Sequence, residues 1–179
     1  MMRIGVNGSV IVQLAAPADL DAVAALLAAC VSEMQARGLD QWDGVYPTRA
    51  TLAADIAGGT LYGAARAGDV VGSFTLNTIQ DPEYGDVPWQ ILDGPVAVVH
   101  RLMVHPSVQR AGLGRHLMRV AEQRAYDLGF RAMRLDTYKM NDRALALYRS
   151  LGYAERGDVR FRKGVFACFE KALRPGFPP

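Results

Sequence analysis

Apolar and polar positions along the first third of the chain follow two different periods. Residues 9–14 alternate and are rich in β-branched side chains, a pattern that predicts a strand. Over residues 20–37 the apolar positions recur at helical spacing, and Gly38 is placed to end that helix. Thr48 is a suitable N-cap for a second helix over residues 49–57. The chain therefore begins with one strand and two helices.

Strand patterns dominate the middle of the chain. Residues 60–66 and 70–78 predict two strands, and the short connection at 67–69 is typical of an antiparallel hairpin. A long segment follows over residues 79–95, and loops of this length in compact domains are often functional. The apolar run at residues 96–104 then predicts a buried strand.

Helical and strand patterns alternate through the rest of the chain. Helices are predicted at 113–128 and 141–151, on either side of a strand at 132–136, and two last strands fall near 153–156 and 165–172. This order predicts an α/β (α+β) fold. We expect a mixed, largely antiparallel central sheet of about seven strands, flanked by helices on both faces.

Length and composition fit one domain. The 179 residues are 50% hydrophobic, which is enough to bury one ordinary core. We expect a single domain over residues 9–173, a flexible N-terminus over residues 1–8 and an irregular C-terminal tail over residues 174–179.

The charge balance and the cysteines narrow the class of protein. The 20 basic and 18 acidic residues leave a formal charge of +2, which is too balanced for nucleic acid to be the main partner. Cys30 and Cys168 lie far apart without metal-ligand spacing, so we expect no metal and the reduced thiols of a cytoplasmic protein. The longest apolar run, residues 22–31, is shorter than the ~18 residues of a membrane span, so no membrane partner is expected.

The junction between the strand at 96–104 and the next helix carries the most specific chemistry. Gln109, Gly112 and Gly114 stand in a loop that leads into the helix. Glycine lets a ligand oxygen approach the backbone, and the free amides of a helix start attract phosphate. A P-loop would need Gly-Lys-Ser/Thr here, and a dinucleotide fingerprint would need glycine in place of Leu117. The loop is therefore predicted to hold phosphates of another kind of ligand.

These residues resemble the acetyl-CoA motif Gln/Arg-x-x-Gly-x-Gly/Ala of the GCN5-related N-acetyltransferase (GNAT) superfamily. The resemblance extends to RLDTYKMNDRALALYRSLGY, residues 134–153, and is weaker but continuous from about Ser9 to Leu173. It implies the GNAT fold, with acetyl-CoA as co-substrate. It also implies a coenzyme site formed by Leu102, Met103, Val104, Gln109, Arg110, Ala111, Gly112, Leu113, Gly114, Arg115, Asn141 and Tyr148.

The resemblance also implies individual roles in that site. In the family, the strands equivalent to residues 96–104 and 132–136 diverge, and the pantetheine arm pairs with the main chain of residues 102–104. Asn141 would contact the coenzyme, and Tyr148 would protonate the leaving thiolate. Each of these residues also has a structural alternative. Asn141 is placed to be the N-cap of its helix, which is compatible with contacting the coenzyme. The alternative for Tyr148 is a core aromatic, and the alternative for the arginines of the glycine loop is a solvated helix face.

The resemblance leaves the general base open, although an amine must lose a proton before or during its attack. His100 has a suitable unperturbed pKa, but a histidine within an apolar strand is more often structural. The carboxylate candidates are Glu33, Asp40, Asp43, Asp93 and Asp136. We place Glu33 first because it lies near the end of the first helix, close in sequence to the loop that is expected to face the acceptor.

The resulting prediction is an acetyl-CoA-dependent N-acetyltransferase that acetylates a primary amine of a small molecule by direct attack in a ternary complex. Trp42, Tyr46, Tyr84 and Trp89 occupy loops where this family shapes its acceptor site, and they either line that site or cover the edge of the core. Two alternatives stay open: a protein or peptide N-acetyltransferase, and a non-catalytic acyl-CoA-binding regulatory domain. Dimerisation is common in the family, so a homodimer is one option.

Overall fold

The computed structural model describes residues 3–5, 9–109 and 111–174. Within these ranges the chain forms eight strands and four α-helices. In chain order they are β1 (Arg3–Gly5), β2 (Ser9–Leu14), α1 (Leu20–Ala36), α2 (Arg49–Ala57), β3 (Leu61–Arg66), β4 (Asp69–Asn77), β5 (Val96–Val104), α3 (Leu113–Asp127), β6 (Ala132–Tyr138), α4 (Asp142–Ser150), β7 (Ala154–Phe161) and β8 (Gly164–Ala172).

The predicted fold class is confirmed, with one strand added at the N-terminus. Arg3–Gly5, within the segment 1–8 that was expected to be flexible, pairs antiparallel with β2. The described sheet consequently has eight strands rather than about seven. Three residues are too few to show a strand period, and pairing with the edge of β2 stabilises them instead. The predicted tail beyond residue 174 lies outside the described residues.

The strand order across the sheet is β1-β2-β3-β4-β5-β6-β8-β7. Every neighbouring pair is antiparallel except β5 and β6, which run parallel on either side of the crossover through α3. In the described chain the register of this parallel pair covers only Val96–Ala132 to Val98–Arg134. The two strands then diverge, and the second half of β5 faces an opening instead of a neighbouring strand.

A bulge shifts the second half of β5 against β4. Met103 lies opposite Ser73 and His100 lies opposite Thr75, so β5 uses one residue more than β4 over this stretch. Arg101 sits in the bulge with a left-handed φ of 51°, a conformation that costs a non-glycine residue about 1 kcal/mol or more. The bulge places the arginine beside the opening between β5 and β6.

Helices cover the two faces of the sheet, and apolar side chains fill the space between. Helices α3 and α4 pack on one face over Phe74, Met133 and Phe169, together with Leu117 and Met118 of α3. The opposite face is covered in two parts. Helices α1 and α2 bury a cluster that contains Val23, Leu26, Leu52, Leu61 and Met103. The loop over residues 79–95 covers a second cluster that contains Val98, Val159, Phe166 and Cys168. Of the helices in the described ranges, none has the length and apolar character needed to cross a membrane.

The close packing of α3 on the sheet leads to a stability prediction at Gly72. A Cβ atom at this position would lie 2.8 Å from Leu117 Cδ1 and 3.1 Å from the Met103 carbonyl oxygen, which is backbone and cannot turn aside. We expect Gly72→Ala to lower the free energy of unfolding by about 1–3 kcal/mol, measured by urea denaturation. Gly63→Ala in the neighbouring strand β3 is the control, because a Cβ there meets no atom within 4 Å. Equal stability of the two variants would contradict this packing.

Candidate active site

A cavity of about 990 Å³ opens where β5 and β6 diverge. Its walls come from α1 and the loop after it, the second half of β5, the start of α3, the end of β6, the first turns of α4, and the β7–β8 turn. Most of the residues that the sequence analysis selected line this one cavity: Glu33, Trp42, Tyr46, Leu102, Met103, Val104, Gln109, Gly112, Leu113, Gly114, Arg115, Asn141 and Tyr148.

Two of the predicted acceptor aromatics do not line the cavity. Tyr84 is only 3% exposed, and Trp89 packs beside it with the ring centroids 5.3 Å apart. Both belong to the cluster that covers Val98 and Phe166 on the sheet. Of the two alternatives for these side chains, the structure has the one in which they cover the edge of the core. Ala111 is exposed and not part of the lining, and Arg110 lies outside the described residues.

The start of α3 has the features of an anion cradle. Gly112 caps the helix with a left-handed φ of 82°, and the His116 amide donates to the Gly112 carbonyl at 3.0 Å. The amides of the residues between them precede that first helical hydrogen bond and are available to a ligand. A Cβ atom at Gly114 would lie 3.5 Å from Leu147 and 3.7 Å from Val104, so this turn sits close against both α4 and β5.

The free edge of β5 is satisfied by side chains rather than by another strand. Gln109 Nε2 donates to the Val104 carbonyl oxygen at 3.1 Å, and the Cys30 thiol lies 3.5 Å from the same oxygen. Burial raises the pKa of Cys30 to about 11, so the thiol stays protonated and acts as a weak donor. Buried backbone groups need partners, and an extended ligand with amides of its own is a suitable one here.

The N-terminus of α4 contacts the opposite wall of the cavity. Asn141 Oδ1 accepts from the Ala144 amide, which confirms its N-cap role, while Nδ2 donates to Gln41 Oε1 at 3.0 Å. Arg143 Nη1 donates to Glu33 Oε1 at 3.0 Å, and Glu33 Oε2 lies 3.6 Å from Arg37. The Glu33 carboxylate, our first candidate for the base, is thus held between two guanidinium groups.

Tyr148 is a buried core aromatic that also reaches the cavity. The residue is 6% exposed and packs against Tyr153 and Phe169, with ring centroids 6.0 and 5.9 Å away, yet it also lines the cavity. Its hydroxyl has no hydrogen-bond partner within the described ranges. Burial raises the pKa of Tyr148, and the nearby Asp136 carboxylate raises it further. The phenol therefore stays protonated and is able to donate a hydrogen bond or a proton.

Asp136 is the carboxylate that the structure places at the divergence of the strands. It follows the last β5–β6 pair on β6 and lines the cavity together with Tyr148. Tyr84 Oη donates to Asp136 Oδ2 at 2.7 Å. Burial raises the pKa of Asp136 to about 6, the Tyr84 hydrogen bond acts against this rise, and the charge of Asp81 adds to it.

His100, the other candidate base, is engaged in structural hydrogen bonds. Its Nε2 atom lies 3.1 Å from both Asn77 Oδ1 and the Ile79 carbonyl oxygen, an arrangement that assigns the proton to Nε2. Burial lowers its pKa to about 4, and the charge of Arg101 lowers it further. The imidazole is neutral at pH 7 and fixes the start of the 79–95 loop to β5.

Arg101 lies beside Tyr46 at one end of the cavity and joins three elements. Its guanidinium donates to Asp55 Oδ2 of α2 and to Tyr46 Oη of the α1–α2 loop, each at 2.6 Å. The Arg101 and Asp55 side chains are 9% and 12% exposed, so their charges largely neutralise each other inside the protein. Arg101 was not among the predicted site residues, although it carries the only charge in the apolar strand at residues 96–104.

Ion pairs tie the α1–α2 loop to the β7–β8 turn at the same end. Lys163 Nζ lies 2.6 Å from Asp40 and 2.7 Å from Asp43, and Arg162 donates to both oxygens of Asp43 at 2.9 Å. Lys163 and the other donors hold the pKa of Asp43 well below its usual range. Asp40 and Asp43, two further carboxylate candidates, are therefore used to connect two walls of the cavity.

Three comparisons with known proteins agree with this geometry. Residues 24–153 match the family model described as the acetyltransferase (GNAT) family. An "IAA acetyltransferase" of Azospirillum brasilense is 31% identical over 94 residues, which are 52% of this chain and 54% of that protein. The match therefore spans about half the length of this curated relative.

Solved structures share the fold at low sequence identity. A GNAT-family acetyltransferase from Streptococcus agalactiae has a TM-score of 0.82 at 20% identity, covering 92% of this chain and 96% of its own. YncA from Salmonella typhimurium, a putative acetyltransferase solved with its cofactor acetyl-CoA, has a TM-score of 0.69 at 18% identity, covering 95% and 97%. No group of side chains suited to hold a metal ion occurs within residues 3–5, 9–109 and 111–174.

The raised pKa of Asp136 predicts a pH-dependent cost in stability. As the pH rises, the unfolded chain releases this proton near 3.8, whereas the folded chain keeps it until about 6. Between about pH 4 and 7.5 the parent should therefore lose about 2 kcal/mol of unfolding free energy relative to Asp136→Asn. Urea denaturation of both proteins across this range measures the difference.

The parent has to be compared with a variant because the titration of His100 changes the unfolding free energy in the opposite direction as the pH rises. The folded pKa of His100, about 4, lies below the ordinary histidine value of 6.5, so this residue destabilises the fold as the pH falls. Asp93→Asn removes an exposed carboxylate and is the matched control. Parallel stability profiles for the parent and Asp136→Asn would contradict the burial of the Asp136 charge.

Proposed function

The chain belongs to the acetyltransferase (GNAT) family, and from this premise we propose that it transfers the acetyl group of acetyl-CoA to a primary amine of a small molecule. One observation carries the proposal. The unpaired edge of β5, the Asp136 carboxylate and the Tyr148 hydroxyl face a single cavity. This arrangement supplies a place for an extended thioester arm, a proton acceptor and a proton donor within one site.

The residues of the glycine loop fit the pyrophosphate of coenzyme A. Gly112, Leu113 and Gly114 would present their amides at the start of α3, where the helix dipole also favours an anion. Gln109 lines the same part of the cavity, and its own amide donates to the Pro106 carbonyl oxygen at 3.3 Å. Arg115 adds a positive charge and is held by a hydrogen bond from Nη2 to Ser150 Oγ at 2.8 Å. We extend this assignment to Ala111 and Arg110 because they belong to the same loop.

The free edge of β5 fits the pantetheine arm. The main chain of Leu102, Met103 and Val104 would pair with the amides of the arm, as a neighbouring strand does elsewhere in the sheet. When bound, acetyl-CoA supplies an acetyl group activated as a thioester. A backbone amide in this stretch would donate a hydrogen bond to the acetyl carbonyl oxygen and stabilise the charge that develops there. Asn141 would contact the coenzyme from the start of α4.

We assign the general base to Asp136 rather than to Glu33. A base must face the reacting amine and have a pKa near or below the working pH. Asp136 lies in the divergence of the strands beside Tyr148, and its pKa of about 6 leaves it ionised at neutral pH. Glu33 is paired with Arg143 and Arg37 at the coenzyme end, where its charge orders the wall of the cavity.

Tyr148 would protonate the thiolate that leaves when the amine attacks. The raised pKa of Tyr148 keeps its proton in place until negative charge develops on the sulfur. The attack is direct, without an acyl-enzyme, because burial also raises the pKa of the Cys30 and Cys168 thiols. Neither cysteine is therefore prepared to act as a nucleophile.

The charges at the acceptor end support an amine as the substrate. Arg101 is neutralised by Asp55, whereas Asp81 and Asp136 lack a cationic side chain within 4 Å in the described part of the chain. The cavity therefore attracts an ammonium group, and Trp42 and Tyr46 add aromatic surface for its apolar part. The ion pairs between the α1–α2 loop and the β7–β8 turn connect two walls at this end, which favours a small molecule over a polypeptide.

Release of free thiol from acetyl-CoA across a panel of primary amines and peptides tests the proposal. We expect turnover with one or more small amines, together with an acetylated product of matching mass. Turnover with peptides only would favour a protein N-acetyltransferase. Tight binding of acetyl-CoA without thiol release from any acceptor would favour a regulatory domain.

Gly112→Glu tests the phosphate cradle. The variant places a negative charge beside the proposed pyrophosphate site, so we expect binding of acetyl-CoA to weaken by more than about tenfold in calorimetric titration. Gly112→Ala is the matched control, since it shares the strain of the left-handed backbone but adds no charge. If both variants bind the coenzyme equally well, the cradle lies elsewhere.

Paired substitutions test the acid and base roles. Asp136→Asn should lower kcat by about 100-fold or more, and Tyr148→Phe by at least about tenfold, with little change in the affinity for acetyl-CoA. Glu33→Gln should keep kcat within a few-fold of the parent and act mainly on the KM for acetyl-CoA. A larger loss of kcat in Glu33→Gln than in Asp136→Asn would contradict this assignment and indicate Glu33 as the base.

A further inference from the structure

The hydrogen bond between Tyr84 and Asp136 leaves the carboxylate in a defined orientation. Tyr84 Oη donates to Oδ2 at 2.7 Å, and Tyr84 itself is 3% exposed. Asp136 Oδ1 has no hydrogen-bond partner in the described ranges, although the residue lines the cavity. One carboxylate oxygen is therefore fixed from the side of the 79–95 loop, and the other is available to an acceptor.

Tyr84 is in turn fixed by its own loop. Trp89 Nε1 donates to the Tyr84 carbonyl oxygen at 2.9 Å, and the two rings lie with their centroids 5.3 Å apart. The guanidinium of Arg134 lies over the Trp89 ring at 4.2 Å from its centroid. Tyr84 is thus held by its contact with Trp89 on the 79–95 loop and by its packing on the sheet.

A buried carboxylate attaches the end of this loop to the sheet. The Glu170 side chain is fully buried and pairs with Arg134 and Arg156 at 3.2 and 3.1 Å. Its Oε2 atom also accepts from the Gln90 and Ile91 amides at 3.0 and 3.2 Å. Loss of one partner of a buried network of this kind is strongly destabilising, so the loop is held where Tyr84 reaches Asp136.

We propose that Tyr84 is a positioning residue for the transfer reaction, which orients the Asp136 carboxylate toward the acceptor amine through a hydrogen bond from outside the cavity. The inference rests on the proposed function, because it takes Asp136 as the base. Tyr84 covers the edge of the core and does not line the cavity, so it would act on the reaction only through Asp136.

Other titratable groups near Asp136 also affect its pKa. Asp81 comes from the 79–95 loop, Tyr46 from the α1–α2 loop, Tyr148 from α4 and Cys168 from β8. Burial raises the pKa of each of the three latter groups, so at neutral pH Asp81 is the charged one among them. Arg101 on β5 is paired with Asp55. The Tyr84 hydrogen bond therefore acts as the main stabiliser of the Asp136 charge.

Titration of the Asp136 carboxyl carbon by NMR tests the proposal without using activity. With aspartate labelled at the carboxyl carbon, the signal is assigned by its absence in Asp136→Asn. We expect a midpoint near 6 in the parent, and a midpoint higher by roughly one to two pH units in Tyr84→Phe. Tyr138→Phe is the matched control, since it removes a hydroxyl from the same aromatic cluster and should leave the midpoint unchanged.

The pH profile of kcat/KM for an amine then connects this titration to the reaction. We expect the acidic limb of the profile to move upward in Tyr84→Phe by the same amount as the NMR midpoint. An unmoved NMR midpoint would overturn the role of Tyr84. Absence of transfer to any amine by the parent would instead overturn the proposed function, while the NMR midpoint still decides whether Tyr84 acts on Asp136.

A second variant covers the case in which Tyr84→Phe does not fold. Trp89→Phe keeps a ring beside Tyr84 but removes the Nε1 donor to its carbonyl oxygen. We expect an upward shift of the Asp136 midpoint in this variant as well, smaller than that in Tyr84→Phe. No shift in a folded Trp89→Phe protein would contradict the positioning of Tyr84 by this loop.

Discussion

The short parallel pair between β5 and β6 is the constraint on which the site depends. Its described register ends at Val98 and Arg134, so the backbone of the following residues on both strands has to find other partners. Gln109 and Cys30 meet part of this need at the Val104 carbonyl. The rest of the opening forms the cavity. The proposed coenzyme site, the proposed base and the proposed acid all line this cavity.

Buried ion pairs around the cavity fix the positions of the elements that form its walls. Glu170 joins Arg134 and Arg156 to the 79–95 loop, and Arg101 joins the bulge of β5 to α2 and the α1–α2 loop. Such buried ion pairs add little net stability, but removing one partner is costly, so they specify one arrangement of the walls. Asp136 is destabilising in its charged form, which is a common cost of a functional group.

Periodicity predicted the order of the strands and helices from residue 9 onward. Strand β7 runs to Phe161, well beyond the predicted 153–156, because most of its residues are polar. The three-residue strand β1 was missed, since it is formed by pairing and not by a pattern of its own. The glycine loop, Asn141 and Tyr148 were selected because they belong to short local motifs that resemble those of the family, and the glycines of this loop, Asn141 and Tyr148 all line the cavity. Tyr84 and Asp136 lie 52 positions apart, and Glu33 is paired with Arg143, which lies 110 positions away. Contacts of this range depend on the tertiary fold, so chemistry at single positions could not rank the carboxylates.

Amide hydrogen exchange with and without coenzyme A tests the central claim most directly. If the free edge of β5 takes the place of a missing strand pairing, amides within residues 99–104 should gain protection when the coenzyme binds, together with those at the start of α3. Amides of Val96, Ala97 and Val98, which lie in the closed part of the pair, should change little. Protection confined to other parts of the chain would contradict the account.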